Sequence, residues 1–372
     1  MKRATSTWLW RGAALLLVLG LGAFAVALSG VVPIRASSGH WALTAAILQF
    51  GKQRSVATHT LGMAPLQLDA PWLVLKGAGH YETACRPCHG SPDFREPVVA
   101  GAMTPRPPYL GPRVASWEPE ELFYIVKHGI KFTGMPAWPA LGRDDEVRAM
   151  VAFLLELPDL DATSYRELVH GNSGDPAPLR APLEELGEPA PPKGVASCAR
   201  CHGARGEGRG NAAFPKLAGQ KQEYLFNAME AYARGRRASG IMQPIAAPLA
   251  GRDWTAIAAY YARLPAHAGA VEQAPADVAR GREIALRGVR AQGVPACVHC
   301  HGPGAGARNP AYPLLAGQFA DYLVLQLELF KTQARGGSPY AHIMNNVASR
   351  LRPEQMQAVA RYYASLSPRA AE

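Results

Sequence analysis

The chain has 372 residues, 48% of them hydrophobic and 18% charged, with 37 Gly and 32 Pro; this excludes wholesale disorder and points to two or three loop-rich modules. The net charge of +10 is unevenly placed, residues 190–266 holding 11 basic against 4 acidic side chains and residues 75–165 holding 9 against 12. No basic stripe interleaved with aromatics marks a nucleic-acid module, so an acidic protein surface or an anionic membrane is the expected partner and nucleic acid is not.

From the N-terminus, residues 12–34 form 23 consecutive uncharged, mostly apolar positions between Arg11 and Arg35, enough to span a bilayer as a helix. Lys2, Arg3 and Arg11 put the short preceding tail in the cytoplasm and everything after Arg35 on the periplasmic side. Ala23, Ala25 and Ala27 offer signal-peptidase sites, yet the run exceeds the roughly 7–15 apolar residues of a cleaved signal. Residues 1–35 are therefore expected to remain as an anchor in the cytoplasmic (inner) membrane. Residues 36–74 follow as a membrane-proximal segment. Within it SGHWALTAAILQFGKQRS predicts a helix whose Trp41, Leu43, Ile47 and Phe50 rest either on the membrane surface or on the module that follows.

All six cysteines fall in Cys-x-x-Cys-His pentapeptides, one per module: Cys85, Cys88 and His89 in residues 75–165; Cys198, Cys201 and His202 in residues 193–266; Cys297, Cys300 and His301 in residues 276–370. Disulfide staples or thioredoxin-type pairs would use the cysteines of an exported protein but leave the three histidines unexplained. Zinc sites would need the pairs to combine in fours, and they stand about a hundred residues apart. Covalent haem attachment accounts for every residue, because two thiols on one helical turn add across the two vinyl groups and the next side chain lies beneath the iron. Three covalently bound haem c groups are expected, with His89, His202 and His301 as proximal ligands.

The modules repeat more than the box. FPKLAGQKQEYL (214–225) matches YPLLAGQFADYL (312–323), and AAYYARLP (258–265) matches ARYYASLSP (360–368), with VAFLLELP (151–158) as the first module's equivalent. These closing segments have apolar residues at helical spacing and stop at a proline, so each predicts a C-terminal helix packed by its aromatic face. Between box and closing helix each module carries a methionine in a Gly/Pro-containing or polar loop: Met135, Met242 and Met344, each 22 residues before the last Leu of its closing helix. A thioether so placed can reach the distal face of the iron. His342 competes with Met344 for that role, Met103 reads as packing along a haem edge, and His80, His128, His170, His267 and His299 as ordinary surface or hydrogen-bonding histidines. Residues 166–192, rich in Pro and Gly, read as a linker, and PAHAGAVEQAPAD (265–277) as a shorter seam.

These motifs resemble class I cytochrome c domains. The last two modules are similar to dihaem bacterial cytochromes of the c-four type. The first, through GAGHYETACRPCHG, MTPRPPYL and KFTGMPAWP, resembles single-haem domains of membrane-bound respiratory cytochromes and alcohol-dehydrogenase cytochrome subunits. The resemblance implies an all-α fold of three tandem domains behind the transmembrane helix, in each of which an N-terminal helix crosses a C-terminal one. The second module departs from it, since EPAPPKGVAS before Cys198 leaves little room for an N-terminal helix. The expected function is single-electron transfer between respiratory partners, to a haem-copper terminal oxidase or, alternatively, within a membrane-bound alcohol or sugar dehydrogenase. No residue is expected to be catalytic. The basic second module, with Arg234, Arg236 and Arg237 just ahead of Met242, is the expected docking face for an acidic partner; the arginines could instead neutralise haem propionates. The acidic first module could also face the basic pair within the chain.

Overall fold

The computed structural model describes residues 2–171, 192, 194–266, 275–302 and 309–368. Most of the expected linker, and His267 in the seam, lie outside these residues. Every regular element among the described residues is helical, and extended pairing is limited to the isolated bridges Ser91–Phe94 and Val289–Val294.

Helix α1 (Lys2–Ser29) contains Trp10–Ser29, a stretch of mean hydropathy 2.3 with none of it buried against the rest of the chain. It is long and apolar enough to cross a membrane. Helix α2 (Ala42–His59) divides the two expectations for its apolar side: Trp41, Leu43, Ile47 and Phe50 are exposed, whereas Val56 is buried and His59 stacks on Tyr124 of the first module.

The first module crosses α3 (Trp72–His80) with α5 (Asp144–Glu156), flanked by α4 (Pro119–His128) and α6 (Ala162–His170). Local chemistry sets the ends. Pro119 opens α4, the Glu118 N–H donates to Glu121 Oε2 at 3.1 Å, and Gly129 closes it at φ 65. The Asp161 carboxylate caps α6 by accepting from the Thr163 and Ser164 amides at 3.0 and 2.7 Å. Tyr165 and Val169 of that helix are fully buried beside Tyr81, Phe153 and Met150, so the first core extends past residue 165 to Val169.

The second module has α7 (Val195–His202), α8 (Gln222–Ala233) and α9 (Gly251–Arg263). The third has α10 (Pro275–Arg287), α11 (Ala320–Lys331), α12 (Ala341–Arg350) and α13 (Pro353–Ser365). Helix α10 crosses α13 as α3 crosses α5, and both crossings use a glycine: Gly77 against the Ala149 backbone and Gly281 against the Ala358 backbone. The closing helices bury the paired aromatics Tyr260 and Tyr261 in one module and Tyr362 and Tyr363 in the other, each side chain contributing about 1.5–3 kcal/mol of hydrophobic stabilisation.

The repeated LAGQ segment does two things. Its glycine sits at positive φ and donates its N–H to the closing helix, Gly219 to Tyr261 O at 3.0 Å and Gly317 to Tyr363 O at 2.9 Å. Its glutamine reaches the other module. Gln318 Oε1 accepts from the Lys216 N–H at 3.1 Å while Gln318 Nε2 donates to Lys216 O at 3.1 Å; Gln220 makes the same pair with Leu314, at 2.7 and 3.0 Å. Lys216 and Leu314 occupy equivalent repeat positions, so the second and third modules clasp each other reciprocally.

The first and second modules also meet. Arg209 donates to the Leu168 and Val169 carbonyls at 2.9 and 3.0 Å, and Arg143 donates to Ala238 O at 2.7 Å. The acidic module thus does face a basic one.

Candidate functional site

Each Cys-x-x-Cys-His box is wound on helix. A π turn, Tyr81–Cys85, widens the end of α3 and leads into the helical turn Arg86–His89; the second box lies wholly within α7; the third occupies Cys297 and the turn Val298–His301. In every box the histidine Nδ1–H donates to a proline carbonyl: His89 to Pro108 at 2.8 Å, His202 to Pro215 at 2.9 Å and His301 to Pro313 at 3.0 Å. A carbonyl can only accept, so Nδ1 carries the proton and Nε2 keeps its lone pair. This is the tautomer a metal needs, with the ring orientation fixed from behind.

The six cysteines form no disulfide. Burial pushes the Cys85 thiol up to about 12 and those of Cys198 and Cys297 up to about 11. A redox-active dithiol needs the opposite shift.

One continuous cavity carries the second and third boxes, reaching Cys198, Cys201, His202 and Met242 at one end and Cys300, His301 and Met344 at the other. Met135 lies in a loop as expected, but Met242 opens the short helix Met242–Ala246 and Met344 lies within α12, a correction to the loop placement. The helix separates the two candidates of the third module. Residues two apart on a helix point roughly 200° from one another, and Met344 lines the cavity while His342 is exposed. Met103 packs its terminal methyl against Gly134 in the Met135 loop.

Between the two boxes lies a cationic cluster of buried Arg237 and half-buried Arg335. Arg237 Nη2 and Arg335 Nη1 both donate to Gln326 Oε1, at 3.3 and 2.6 Å, and Arg335 Nη2 donates to the Tyr224 hydroxyl at 3.1 Å. Burial pushes the Tyr224 phenol up, but Arg335 and Arg237 outweigh it and bring it down to about 8. The partners of Arg237 are tyrosines and a glutamine, not carboxylates. Two guanidiniums facing one cavity call for an anion there. The buried Tyr261 hydroxyl, at the same cavity, has no partner among the described residues. Thiols, imidazole lone pairs, thioethers and uncompensated guanidiniums together fit a haem with its propionates. Arg237, 6% exposed, is therefore no docking residue, which corrects that expectation; Arg234 and Arg236 are exposed and both pair with Glu230.

Sequence reasoning missed His80, Trp138 and Glu146. All three are buried. The His80 ring stands against Trp138 with centroids 4.8 Å apart, and burial, with Arg200 and Lys76 nearby, lowers its pKa to about 4. It is not a surface histidine. His80 and Trp138 stand within quoted motifs but nothing there marked a role for them, and Glu146 meets Ser239 and Gly240 only across the module boundary.

Comparison with known proteins agrees with the geometry. The family described as cytochrome c oxidase, cbb3-type, subunit III matches residues 73–154, and the cytochrome c family matches residues 194–260 and 278–367. The thiosulfate dehydrogenase electron acceptor of Thiomonas intermedia is 41% identical over 182 residues, covering 48% of this chain and 83% of that protein. The chain belongs to the cytochrome c family. This cytochrome c is also 35% identical to cytochrome c4 of Thiocapsa roseopersicina over 192 residues, 50% of this chain and 97% of the relative. Among solved structures, reduced recombinant cytochrome c4 from Pseudomonas stutzeri is 32% identical, covering 46% of this chain and 95% of its own, with a TM-score of 0.43. Cytochrome c domains imply covalently bound haem c.

Proposed function

We propose that this cytochrome c holds three haems and relays single electrons on the periplasmic side of the cytoplasmic membrane, anchored there by α1. Cys85 and Cys88, Cys198 and Cys201, and Cys297 and Cys300 are the thioether positions. His89, His202 and His301 would hold the iron through Nε2, and Met135, Met242 and Met344 would supply its thioether ligands. When bound, the group supplies a one-electron ferric/ferrous couple, and His/Met ligation suits it to electron transfer.

The protein's own work is positional. The Pro108, Pro215 and Pro313 carbonyls hold each imidazole in one tautomer and one orientation, so no proton moves at the ligand. Arg237 and Arg335 would offset propionate charge at the cavity, which the closing helices line with Ile257, Tyr261, Val359 and Tyr363. The observation that carries the reading is the threefold recurrence of one arrangement, an imidazole locked by a proline carbonyl directly after a Cys-x-x-Cys pair.

For partners, the similarity of the chain to a protein named as a thiosulfate dehydrogenase electron acceptor supports a periplasmic dehydrogenase as donor. The match of the first module to an oxidase subunit supports a membrane oxidase as acceptor. The two original expectations then become the two ends of one relay, with thiosulfate oxidation in place of alcohol or sugar oxidation. Pyridine haemochrome quantitation tests the count, and three haems per polypeptide are expected. Stopped-flow reduction by a purified thiosulfate dehydrogenase tests the donor. Fewer than three haems, or rapid carbon monoxide binding to the fully reduced protein, would refute the ligand set; absence of reduction by the dehydrogenase would refute the donor alone.

A further inference from the structure

We propose that the first module completes the haem site of the second, with Glu146 and Trp138 acting as positioning residues for the Met242 ligand. The inference rests on the ligand assignment above. It deepens that assignment by placing control of one module's iron ligand in another module.

Glu146 is 2% exposed, and four donors from both modules converge on its carboxylate. Ser239 Oγ donates to Oε1 at 2.6 Å and Arg143 Nη2 lies 3.0 Å from the same oxygen, while the Gly240 N–H and Trp138 Nε1 donate to Oε2 at 2.6 and 3.1 Å. Ser239 Oγ in turn accepts from the Met242 N–H at 2.9 Å and the Ile241 N–H at 3.3 Å. The first module's carboxylate is thus two hydrogen bonds from the backbone of the ligand residue. Trp138, three residues beyond Met135, lies so close to Gly240 that a Cβ there would fall 2.5 Å from the indole Cε2. Arg143 holds the start of the same turn through Ala238 O.

The other side of the second site is walled by the first module as well. Lys76, Gly79, Thr83, Arg143 and Glu146 line the cavity that carries Cys201 and Met242. A Cβ on Gly79 would stand 2.7 Å from Phe214 Cζ and 3.3 Å from Cys201 Sγ, so the lack of a side chain here lets the two modules approach closely. Burying a carboxylate is costly unless every oxygen is engaged. Glu146 is fully engaged only while residues 239–240 lie against it, so the turn and the module interface form together. Charge-assisted hydrogen bonds of this length are among the stronger ones in proteins. They hold Met242 where it lines the cavity.

The test uses full-length, haem-loaded protein with methyl-labelled methionine, read in the reduced state, where an iron-bound Met methyl is strongly shifted by the haem ring current. Wild type should show shifted methyls for Met135, Met242 and Met344. In Glu146→Ala and Ser239→Ala the Met242 signal should collapse or exchange-broaden while the other two persist. The near-infrared band of the ferric protein should fall by one site's share. Glu146→Gln keeps an acceptor for Ser239 but sets its NH2 against the Gly240 and Trp138 donors, so it should restore the Met242 signal only in part. An unmoved Met242 methyl in Ser239→Ala at full haem content would overturn the proposal, as would three signals falling together. Ser239→Ala removes one side-chain oxygen and leaves the Arg143–Glu146 pair in place, so it decides the matter even where Glu146→Ala unfolds the first module. A wild type lacking any shifted Met242 methyl would instead refute the ligand assignment.

Discussion

Gly281→Ala should destabilise the third module, although the same change stabilises most helices. Two terms compete. Ala is favoured over Gly in a helix interior by about 1 kcal/mol. Against it, the new methyl would lie 2.6 Å from the Ala358 carbonyl carbon and 2.8 Å from Tyr362 Cβ, and closer still to the Ala358 oxygen. Ordinary carbon contacts begin near 3.5 Å, so α10 and α13 must separate by the better part of an ångström along a crossing that organises the core. Overpacking of this kind costs about 1–3 kcal/mol, and here the obstructing atoms are backbone and cannot change rotamer. The net expectation is a loss of about 1–2 kcal/mol. Urea unfolding followed by far-ultraviolet circular dichroism and the Soret band gives the measurement, with two controls. Gly51→Ala, on the exposed face of α2 with open space around it, should stabilise that helix by about 1 kcal/mol. Adding Ala358→Gly to Gly281→Ala should rescue nothing, because the clash is with a carbonyl. A Gly281→Ala protein as stable as wild type, or one rescued by Ala358→Gly, would refute the close-crossing argument.

His80 is held neutral by burial, with a folded pKa of about 4 against about 6.5 unfolded. The unfolded chain therefore binds the proton first as pH falls, so stability is complete above about 6.5 and declines toward 4, by up to about 3 kcal/mol; unfolding across a pH series should show this slope, and His80→Asn should flatten it. Gln318→Leu should strip the Lys216 backbone of two partners at a cost of about 1–3 kcal/mol, seen as faster amide exchange at Lys216 with the Gly317 amide still protected. Arg236→Glu should weaken the salt dependence of electron transfer to an acidic partner without loss of haem, whereas Arg237→Glu should lose haem from the central cavity; equal behaviour of the two would contradict their different burial. Intact-mass analysis of the membrane fraction should find α1 retained, and a salt-released chain beginning near residue 28 would show it to be a cleaved signal.

The boxes and the closing helices could be read from sequence because their determinants are local. Cys85, Cys88 and His89 must share one helical turn, and that requirement is written in five consecutive letters. The constant offset of 22 residues from each Met to its last Leu is legible because a closing helix and its lead-in have nearly fixed length. Even the charge contrast between the first two modules anticipated their contact. The fate of individual charges was not legible. Arg236 and Arg237 are adjacent and chemically identical, yet one pairs with Glu230 on the surface and the other enters the cavity between the boxes. Likewise Glu146 closes a run of three acids that reads as a favourable first helical turn, while in the fold it anchors residues 93 and 94 positions away. Gln220 and Gln318 repeat as a motif, but only the assembled pair shows that each serves the other module. Burial and partnership depend on which surfaces are brought together, and that is settled by summed packing over the whole chain, for which a short window of sequence has no signal.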